Sequence, residues 1–412
     1  MASQSNPSEC IEVQKPFLTV DDAAELFSHL YGMPKATSVK PLNGYDAQNF
    51  LINLDHVGID DQDLNQDPKC CTQRYVLKIM SGEESKDEIG FRAIHSIQKY
   101  LKHHGYTCAA PLQNIHGDDM KIEEFTKKQP ADGLNAGQRV RGRFMIRAYP
   151  FLPGVSLTSV GVVPANSTQV FYEAGKSLAQ MHKILQKYPH DTTALKEKAK
   201  TFEWSLDNLS IILKHVHVVK DQKRRDFIVD IVKTFESRVL TIKDQFRKGI
   251  IHNDFSDTNV LVTPILDNST TSENSVAHQV NYKLSNAVDF DDSHYNCLVF
   301  DIGISMMYMA VSKPAENHPL HASAAFLAGY QHVNPLTPEE LEVLHICQAA
   351  RFAQSLIMGL YTYTYIQPGN DYLLLTQNSW PIIEDLWEMK VDSVRKMWTD
   401  VAMECAKFDM HA

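Results

Sequence analysis

The chain carries the sequence His-Asn-Asp-Phe-Ser-Asp-Thr-Asn at residues 252–259, directly after an apolar lead-in. A second apolar run, farther along, ends in the sequence Asp-Phe-Asp-Asp at residues 289–292. Phosphoryl transfer from a nucleoside triphosphate needs a carboxylate that aligns the acceptor hydroxyl, and an amide and a second carboxylate that hold Mg²⁺. Asp254 is therefore the candidate catalytic base, and Asn259 and Asp289 are the candidate ligands of Mg²⁺.

A lysine within an apolar strand pattern is the candidate cation for the phosphates of the nucleotide. Lys78 lies in the run of residues 74–80, where burial of an unpaired ammonium would cost on the order of several kcal/mol. The alternative is an exposed lysine on an edge strand, and the downstream motif favours the phosphate contact. Gly44, Tyr45 and Asp46 form a predicted turn whose N–H groups would cover the nucleotide, although such a turn is also an ordinary hairpin feature.

The length of the chain and the position of its Pro-Gly pair predict more than one folding unit. A chain of 412 residues exceeds the size at which a single core usually keeps growing. The Pro153-Gly154 pair is the best candidate for a boundary, since both residues interrupt regular structure. We expect a flexible tail at residues 1–18, a nucleotide-binding lobe at residues 19–151, and a catalytic and substrate-binding lobe at residues 152–412.

Hydrophobic periodicity places the individual elements. Strands are expected at residues 37–42, 49–54, 74–80, 111–116, 121–125 and 144–151. Helices are expected at residues 19–32, 83–104, 170–186, 225–246, 297–311, 341–365 and 381–407. The basic, glycine-containing segment at residues 127–143 is expected to be a loop. A β-rich first part and a helical second part that carries the chemistry predict an α+β, two-lobe, protein-kinase-like fold.

Composition excludes several classes of protein. No apolar run approaches the roughly eighteen residues of a membrane span, and the polar residues 1–14 lack the core of a signal peptide. Seven cysteines without a Cys-x-x-Cys spacing are typical of reduced thiols. A net charge of −10 argues against a nucleic-acid partner and suits a cationic small molecule. We therefore expect a cytoplasmic protein whose partners are a small substrate and a nucleotide, without membrane or nucleic acid.

Further acidic residues surround the motif. Asp257 and Asp292 are candidates for binding a substrate ammonium, as is Asp291, and the alternative is that they are solvent-exposed loop acids. Asp301 begins an apolar helix, and we expect it to brace the catalytic loop through backbone N–H groups or an arginine. His252 is expected to be a hydrogen-bonded structural residue.

These motifs resemble those of the aminoglycoside phosphotransferase and choline kinase superfamily, and the match extends over nearly the whole chain. Within it the chain is similar to the hydroxylysine kinases, through Leu-Pro-Gly at residues 152–154, Met-Met-Tyr-Met at 306–309 and Arg-Phe-x-Gln-Ser-Leu at 351–356. The resemblance implies a kinase-like fold. It also implies phosphorylation of the side-chain hydroxyl of 5-hydroxy-L-lysine to 5-phosphohydroxylysine, with Mg²⁺ and with GTP as the usual donor and ATP as the alternative.

The resemblance also implies roles for two further residues and marks two departures. A helix glutamate should pair with Lys78, and Glu88 is the candidate. Arg351, from its place in the subfamily motif, is the candidate to bind the carboxylate of the substrate bidentately. Asn253 and Asp291 stand where the family usually has glycine, and Asp291 adds a third carboxylate beside the metal ligands.

Two alternatives to this function remain open. In the first alternative the protein is a kinase whose acceptor is another amino alcohol, such as choline, ethanolamine or homoserine. A choline site would need an aromatic cage around the quaternary ammonium. In the second alternative the protein is a nucleotide-binding pseudokinase with a regulatory role. The intact set of Lys78, Asp254, Asn259 and Asp289 argues against the pseudokinase.

Overall fold

A computed structural model describes residues 11–42, 44, 47–54, 73–128, 139–160, 166–265, 280–312 and 319–409. The chain divides into two compact units. The first contains Met1–Lys99 and Ala109–Leu152, and the second contains Tyr100–Cys108 and Pro153–Ala412. The division after Leu152 falls at the Pro-Gly pair, whereas nothing in the sequence pattern assigns Tyr100–Cys108 to the second unit.

The first unit is built on a six-stranded sheet of order β1-β6-β4-β3-β2, with β5 also paired to β6. Its elements are β1 (Ile11–Glu12), α1 (Val20–Tyr31), β2 (Ser38–Leu42), β3 (Gln48–Leu54), β4 (Gln73–Ile79), α2 (Glu88–His103), β5 (Lys121–Lys128) and β6 (Arg139–Pro150). Apolar residues from α1 and from alternate strand positions form its core, among them Phe27, Ile52, Leu77 and Phe144. A capping box between Thr19 and Asp22 fixes the start of α1.

The segment expected as a flexible tail is held by the sheet from Ile11 onward. Strand β1 pairs in parallel with β6, and Val13 N donates to Arg141 O at 2.9 Å. Strand β6 is longer than β4, so its end at Val140 has an edge that β4 does not cover. The backbone groups of that edge need partners, and the N-terminal segment supplies them.

Two other expectations for this unit are wrong. The segment at residues 127–143 was expected to be a loop, but β5 continues through Lys128 and β6 begins at Arg139. Residues 139–144 alternate exposed and buried positions, because the basic side chains face solvent while Val140 and Phe144 face the core. Residues 111–116 form no strand, since the Asn114 side chain accepts from two following backbone N–H groups and makes a turn.

The second unit is mainly helical. Its elements are β7 (Val155–Ser156), α3 (Ser167–Leu185), α4 (Thr193–Thr201), α5 (Gln222–Arg238), β8 (Lys248–Ile251), β9 (Val260–Pro264), β10 (Tyr282–Ala287), β11 (His294–Cys297), α6 (Leu298–Val311), α7 (Pro319–Val333), α8 (Pro338–Tyr365), α9 (Trp380–Glu388) and α10 (Val391–Cys405). Helix α6 lies at the centre, and all its residues except Tyr308 and Val311 are buried. Among the described residues, none of the helices combines the length and apolar character needed to cross a membrane.

Two small sheets position the loops between these helices. Strands β8 and β11 pair antiparallel, with Ile251 opposite His294. Strands β9 and β10 pair antiparallel, with Val260 opposite Ala287, and β7 joins the other edge of β9. The loops that leave these strand ends carry the acidic motifs.

Candidate active site

Strand pairing brings the two acidic motifs together. The loop with Asp254 leaves β8 after Ile251, and the segment with Asp292 enters β11 beside it, since Ile251 and His294 are register partners. At the neighbouring hairpin, Val288 N donates to Asn259 O at 3.0 Å. The spacing seen in the sequence therefore becomes a single group of side chains at the ends of four short strands.

Asp301, in the first turn of α6, braces the loop that contains Asp254. Its carboxylate accepts hydrogen bonds from the backbone N–H groups of His252 and Asn253, each at 2.8 Å, and bonds His182 Nε2 at 2.9 Å. The backbone contacts match the expectation, but the side-chain partner is a histidine instead of an arginine. Burial opposes ionisation of Asp301, yet the His182 and backbone hydrogen bonds outweigh it and lower the pKa.

His252 and Asn253 are shaped by the same brace. His252 is buried, and its ring contacts Val288 O at 3.1 Å and accepts from Asp254 N at 3.3 Å, which fits a structural residue. Asn253 has φ 66°, a left-handed conformation that favours glycine. Its side chain donates to Trp204 O at 3.3 Å. The asparagine thus ties the catalytic loop to a neighbouring segment, which a glycine could not do.

Asp254 is a partly exposed carboxylate held by its neighbours. Asn259 Nδ2 donates to Asp254 Oδ2 at 2.6 Å and to its carbonyl at 3.0 Å. Burial raises the pKa of Asp254, nearby Arg351 and His252 oppose the rise, and the Asp289 charge adds to it. A side-chain exposure of 26% leaves the carboxylate accessible to an acceptor molecule.

The proposed metal ligands occupy the same end of one hairpin. Asn259 uses its amide N–H group on Asp254, which leaves its amide oxygen for a cation. Asp289, two residues beyond β10, is exposed and has φ 60°, so its backbone also adopts the left-handed conformation. An amide oxygen and a carboxylate are the hard ligands that Mg²⁺ prefers. The described residues contain no set of three or more His, Cys, Asp or Glu side chains arranged for a metal. The amide oxygen of Asn259 and the carboxylate of Asp289 are of the chemical type that suits Mg²⁺.

Asp292 lies half-buried beside Asp254. Burial raises its pKa to about 7, the negative charges of Asp254 and Asp289 contribute, and Lys198 of α4 opposes them. Lys198 donates a hydrogen bond to the carbonyl of Asp291. Neither acid is a fully exposed loop residue, and a cation beside Asp292 would relieve the repulsion among the carboxylates.

Asp257 has a different setting from the one expected. It is neither a solvent-exposed acid nor open to a substrate, since it is buried and Ser312 donates to its carboxylate at 3.0 Å. Its carbonyl accepts from Thr158 N at 3.2 Å. Burial raises the pKa of Asp257 to about 6, although the bonds from Ser312 and Thr158 act against the rise. Asp257 is therefore placed to connect the loop to neighbouring segments.

Arg351 was expected to hold the carboxylate of a substrate, and the structure gives it other partners. Its side chain is only 2% exposed, and Nη2 lies 3.6 Å from Asp254 Oδ1. Both terminal nitrogens donate to protein acceptors, among them Tyr308 OH at 2.9 Å. A substrate carboxylate would have to displace these buried contacts.

Two tyrosines near the motif were not assigned a role from sequence. Tyr308 accepts a hydrogen bond from Arg351 and lies close enough to Asp254 for its side chain to lower the pKa of that carboxyl. Tyr372, in the 3₁₀ helix Asp371–Leu374, is 40% exposed; partial burial raises its pKa to about 12, and the negative charge of Asp254 adds to the rise. Tyr308 is the polar residue of the Met-Met-Tyr-Met motif, which was the available signal; Tyr372 lies outside any motif.

The residues proposed for the nucleotide belong to the first unit. Lys78 is half-buried in β4, where it faces Asn49 and Arg147 across the ladder. A Cβ at Gly44 would lie 2.5 Å from Ala47 O, so the turn requires glycine. Tyr45 and Asp46 lie outside the described residues.

Glu88 does not take the place expected for it. It opens α2 with its side chain 45% exposed, and it pairs with Arg92 at 2.7 Å. Residues four apart face each other on a helix surface, which favours this local pair over a strand lysine.

Comparison with known proteins places this geometry in a family. Residues 38–271 match the model of the phosphotransferase enzyme family. The chain is 31% identical over 390 residues to the hydroxylysine kinase of Xenopus laevis, covering 94% of this chain and 95% of that protein. It is 27% identical to the hydroxylysine kinase of Bos taurus, covering 94% of each.

Solved structures agree on the fold. An amicoumacin kinase in complex with AMP-PNP, Ca²⁺ and Ami superposes with a TM-score of 0.57 at 18% identity, covering 91% of this chain and 96% of that one. The expected kinase-like α+β architecture is thereby confirmed. The chain belongs to the phosphotransferase enzyme family and, within it, to the family of the hydroxylysine kinases.

Proposed function

We propose that this protein transfers the γ-phosphate of a nucleoside triphosphate, GTP or ATP, to the side-chain hydroxyl of 5-hydroxy-L-lysine, giving 5-phosphohydroxylysine. The observation that carries the proposal is the contact between Asp254 and Asn259 at 2.6 Å, at the strand ends where Asp289 also lies. The names of the relatives support hydroxylysine as the acceptor.

In this proposal Asp254 aligns the acceptor. Its partly exposed carboxylate accepts a hydrogen bond from the substrate hydroxyl and takes the proton as the new P–O bond forms. Alignment of reacting groups can supply on the order of several kcal/mol of barrier reduction. Asn259 and the brace from Asp301 keep the carboxylate from rotating away.

Asn259 and Asp289 would hold Mg²⁺ with the phosphates of the nucleotide. The bound ion would neutralise the charge that develops on the phosphate oxygens. Lys78 and Gly44 remain the candidates for binding the nucleotide, whereas Glu88 pairs with Arg92 and is not one of them.

Asp292 would recognise the ε-ammonium of the acceptor. In hydroxylysine the hydroxyl and this ammonium sit on neighbouring carbons, so a hydroxyl held by Asp254 has the ammonium beside it. Asp292 is the half-buried carboxylate whose charge interacts with that of Asp254. Homoserine has no amine next to its hydroxyl and would lose this contact.

A reducing compartment suits the described thiols of the second unit. Cys297 and Cys347 are buried and form no disulfide. Burial raises the pKa of Cys297 to about 12 and that of Cys347 well above its ordinary value, so both stay protonated and inert. These properties support the cytoplasm as the location of the proposed reaction.

The test is a matrix of acceptors and donors. Purified protein with Mg²⁺ and either GTP or ATP is offered hydroxylysine, ethanolamine, choline or homoserine, and nucleoside diphosphate and phosphorylated product are measured. We expect hydroxylysine to stimulate turnover most strongly, and Asp292→Asn to raise its KM about tenfold or more while the KM of the nucleotide stays unchanged.

The outcomes separate the alternatives. Stimulation by homoserine or choline in place of hydroxylysine would identify a different amino-alcohol kinase. Nucleotide binding without turnover under any acceptor would indicate a pseudokinase and contradict the proposal.

A further inference from the structure

Arg351 is fixed inside the second unit by hydrogen bonds from both terminal nitrogens of its guanidinium. Nη1 donates to Gln354 Oε1 at 2.9 Å and to Trp204 O at 3.2 Å. Nη2 donates to Tyr308 OH at 2.9 Å and lies 3.6 Å from Asp254 Oδ1. The planar fork therefore joins α8 and α6 to the catalytic loop and to the segment that contains Trp204.

Aromatic rings hold the same guanidinium from its faces. Its central carbon lies 4.8 Å from the ring centroid of Trp204 and 5.4 Å from that of Tyr308. The backbone around Trp204 is itself anchored, since Gln354 Nε2 donates to Glu203 O at 2.9 Å. A buried arginine between two rings has little freedom to swing toward a ligand.

Asp254 is consequently held at both of its carboxylate oxygens. Asn259 donates to Oδ2, while Arg351 lies against Oδ1. Tyr308 connects the two charged groups, because its oxygen accepts from Arg351 and its side chain also acts on Asp254, whose pKa it lowers. A phenol can donate one hydrogen bond and accept another at the same time, so both contacts can exist together.

We propose that Arg351 is a positioning residue that acts with Tyr308 to fix the Asp254 carboxylate in the orientation that receives the acceptor hydroxyl. This inference rests on phosphoryl transfer at Asp254, and it does not depend on which amino alcohol is the acceptor. Arg351 would then determine the rate of the chemical step, whereas a carboxylate clamp would determine the affinity for the substrate.

Steady-state kinetics of Arg351→Met, Arg351→Lys and Tyr308→Phe test the proposal, with the acceptor that the wild type uses best. We expect Arg351→Met to lower kcat about 100-fold, since small misplacements of a reacting group have effects of this size. The KM values of acceptor and nucleotide should change less than about threefold. Arg351→Lys keeps the charge without the fork and should retain more of the kcat than Arg351→Met.

The double variant adds a second readout. Tyr308→Phe should lower kcat by about tenfold, and combined with Arg351→Met it should add less than its own effect, because both act on one carboxylate. Arg225→Met is the control, since Arg225 also donates to two loop carbonyls, of Val219 and Lys220, away from the motif. It should leave kcat unchanged.

Three results would overturn the proposal. An Arg351→Met variant with unchanged kcat and a greatly raised acceptor KM would make Arg351 a substrate clamp. Full activity of Arg351→Met would show that the contact between Arg351 and Asp254 makes no contribution to catalysis. If Arg351→Met fails to fold, Tyr308→Phe still decides, since it removes one oxygen, and a normal kcat for a folded Tyr308→Phe would contradict the positioning role.

Discussion

Individual residues at the site carry backbone strain as well as chemistry. Asn253 and Asp289 have φ 66° and 60°, and they are the non-glycine residues with positive φ among the described parts of the chain. Residues held in strained backbone conformations of this kind tend to cluster at active sites and ligand-binding sites. Here one precedes Asp254, the proposed catalytic carboxylate, and the other is a proposed metal ligand.

Substitutions at Asn253 separate strain from hydrogen bonding. Asn253→Ala and Asn253→Gly both lose the bond to Trp204 O. Only alanine keeps a Cβ in the left-handed conformation, which costs roughly 1–2 kcal/mol. We therefore expect the free energy of unfolding, measured by urea titration, to be lower for Asn253→Ala than for Asn253→Gly by about this amount. Equal stabilities would mean that the backbone at this position is relaxed.

The sequence predicts which of these side chains come together better than it predicts the partners of Glu88 and Arg351. Asp254, Asn259 and Asp289 follow from spacing, because the two hairpin-like strand pairs turn spacing into proximity. The partners of Glu88 and Arg351 do not follow from spacing. Each is decided by which side chain lies within reach in three dimensions, Arg92 on the same helix in one case and Asp254 from another segment in the other.

Elements in the helical unit approach each other through glycine. A Cβ at Gly329 of α7 would lie 1.8 Å from Tyr172 O, and one at Gly175 of α3 would lie 1.9 Å from Phe326 O. Backbone carbonyls cannot rotate aside as a side chain would. The two helices therefore pack at a distance that only glycine permits at these positions.

Gly329→Ala should lower the free energy of unfolding by about 3 kcal/mol or more, because the helices must separate. Alanine is nevertheless the better helix former, by about 1 kcal/mol. The matched control is Ala328→Gly on the same helix, which should cost only about 1 kcal/mol. Thermal and urea unfolding measure both variants; a Gly329→Ala protein as stable as wild type would contradict the close packing.

Periodicity predicts amphipathic elements well and others poorly. Helix α1 (Val20–Tyr31) matches an amphipathic pattern, with Ala23, Leu26, Phe27 and Leu30 buried on one face, and it begins at a capping box. Helix α7 is not predicted, since ten of its residues, including Leu320, Phe326 and Tyr330, are buried and its polar face is small. The start of β6 is predicted wrongly as a loop. Its arginines face solvent and make the segment basic, which obscures the alternation of exposed and buried residues.

For the molecule as a whole, two buried histidines predict acid sensitivity. Burial lowers the pKa of His294 and His345 to about 4, and around His345 the charges of Arg238 and Arg395 add to the effect while Glu342 opposes it. The unfolded chain binds these protons near pH 6.5, so it binds more protons than the folded state between about pH 6.5 and 4. The stability that these two histidines contribute is therefore complete above this window and is lost as the pH falls through it.

Urea unfolding at pH 7 and pH 5 measures this effect. Each histidine should reduce the free energy of unfolding by about 2 kcal/mol between the two values. The raised pKa values of Asp257 and Asp292 act in the opposite direction over the same range, so the test is the comparison with His345→Gln, which cannot titrate at this position. Relative to wild type, this variant should lose less stability, by about 2 kcal/mol, on going from pH 7 to pH 5. The same change in stability in both proteins would show that His345 is not buried in its neutral form.

The most direct test of the account is product formation by wild type and Asp254→Asn. Both are incubated with Mg²⁺, GTP or ATP, and hydroxylysine; phosphorus NMR and mass spectrometry follow the phosphoester, and nucleotide affinity is measured in parallel. We expect 5-phosphohydroxylysine from wild type, and a rate lower by about 1,000-fold in Asp254→Asn with nucleotide affinity nearly unchanged. Phosphoester formation at a similar rate in both proteins would contradict the role of Asp254 on which the proposed mechanism rests.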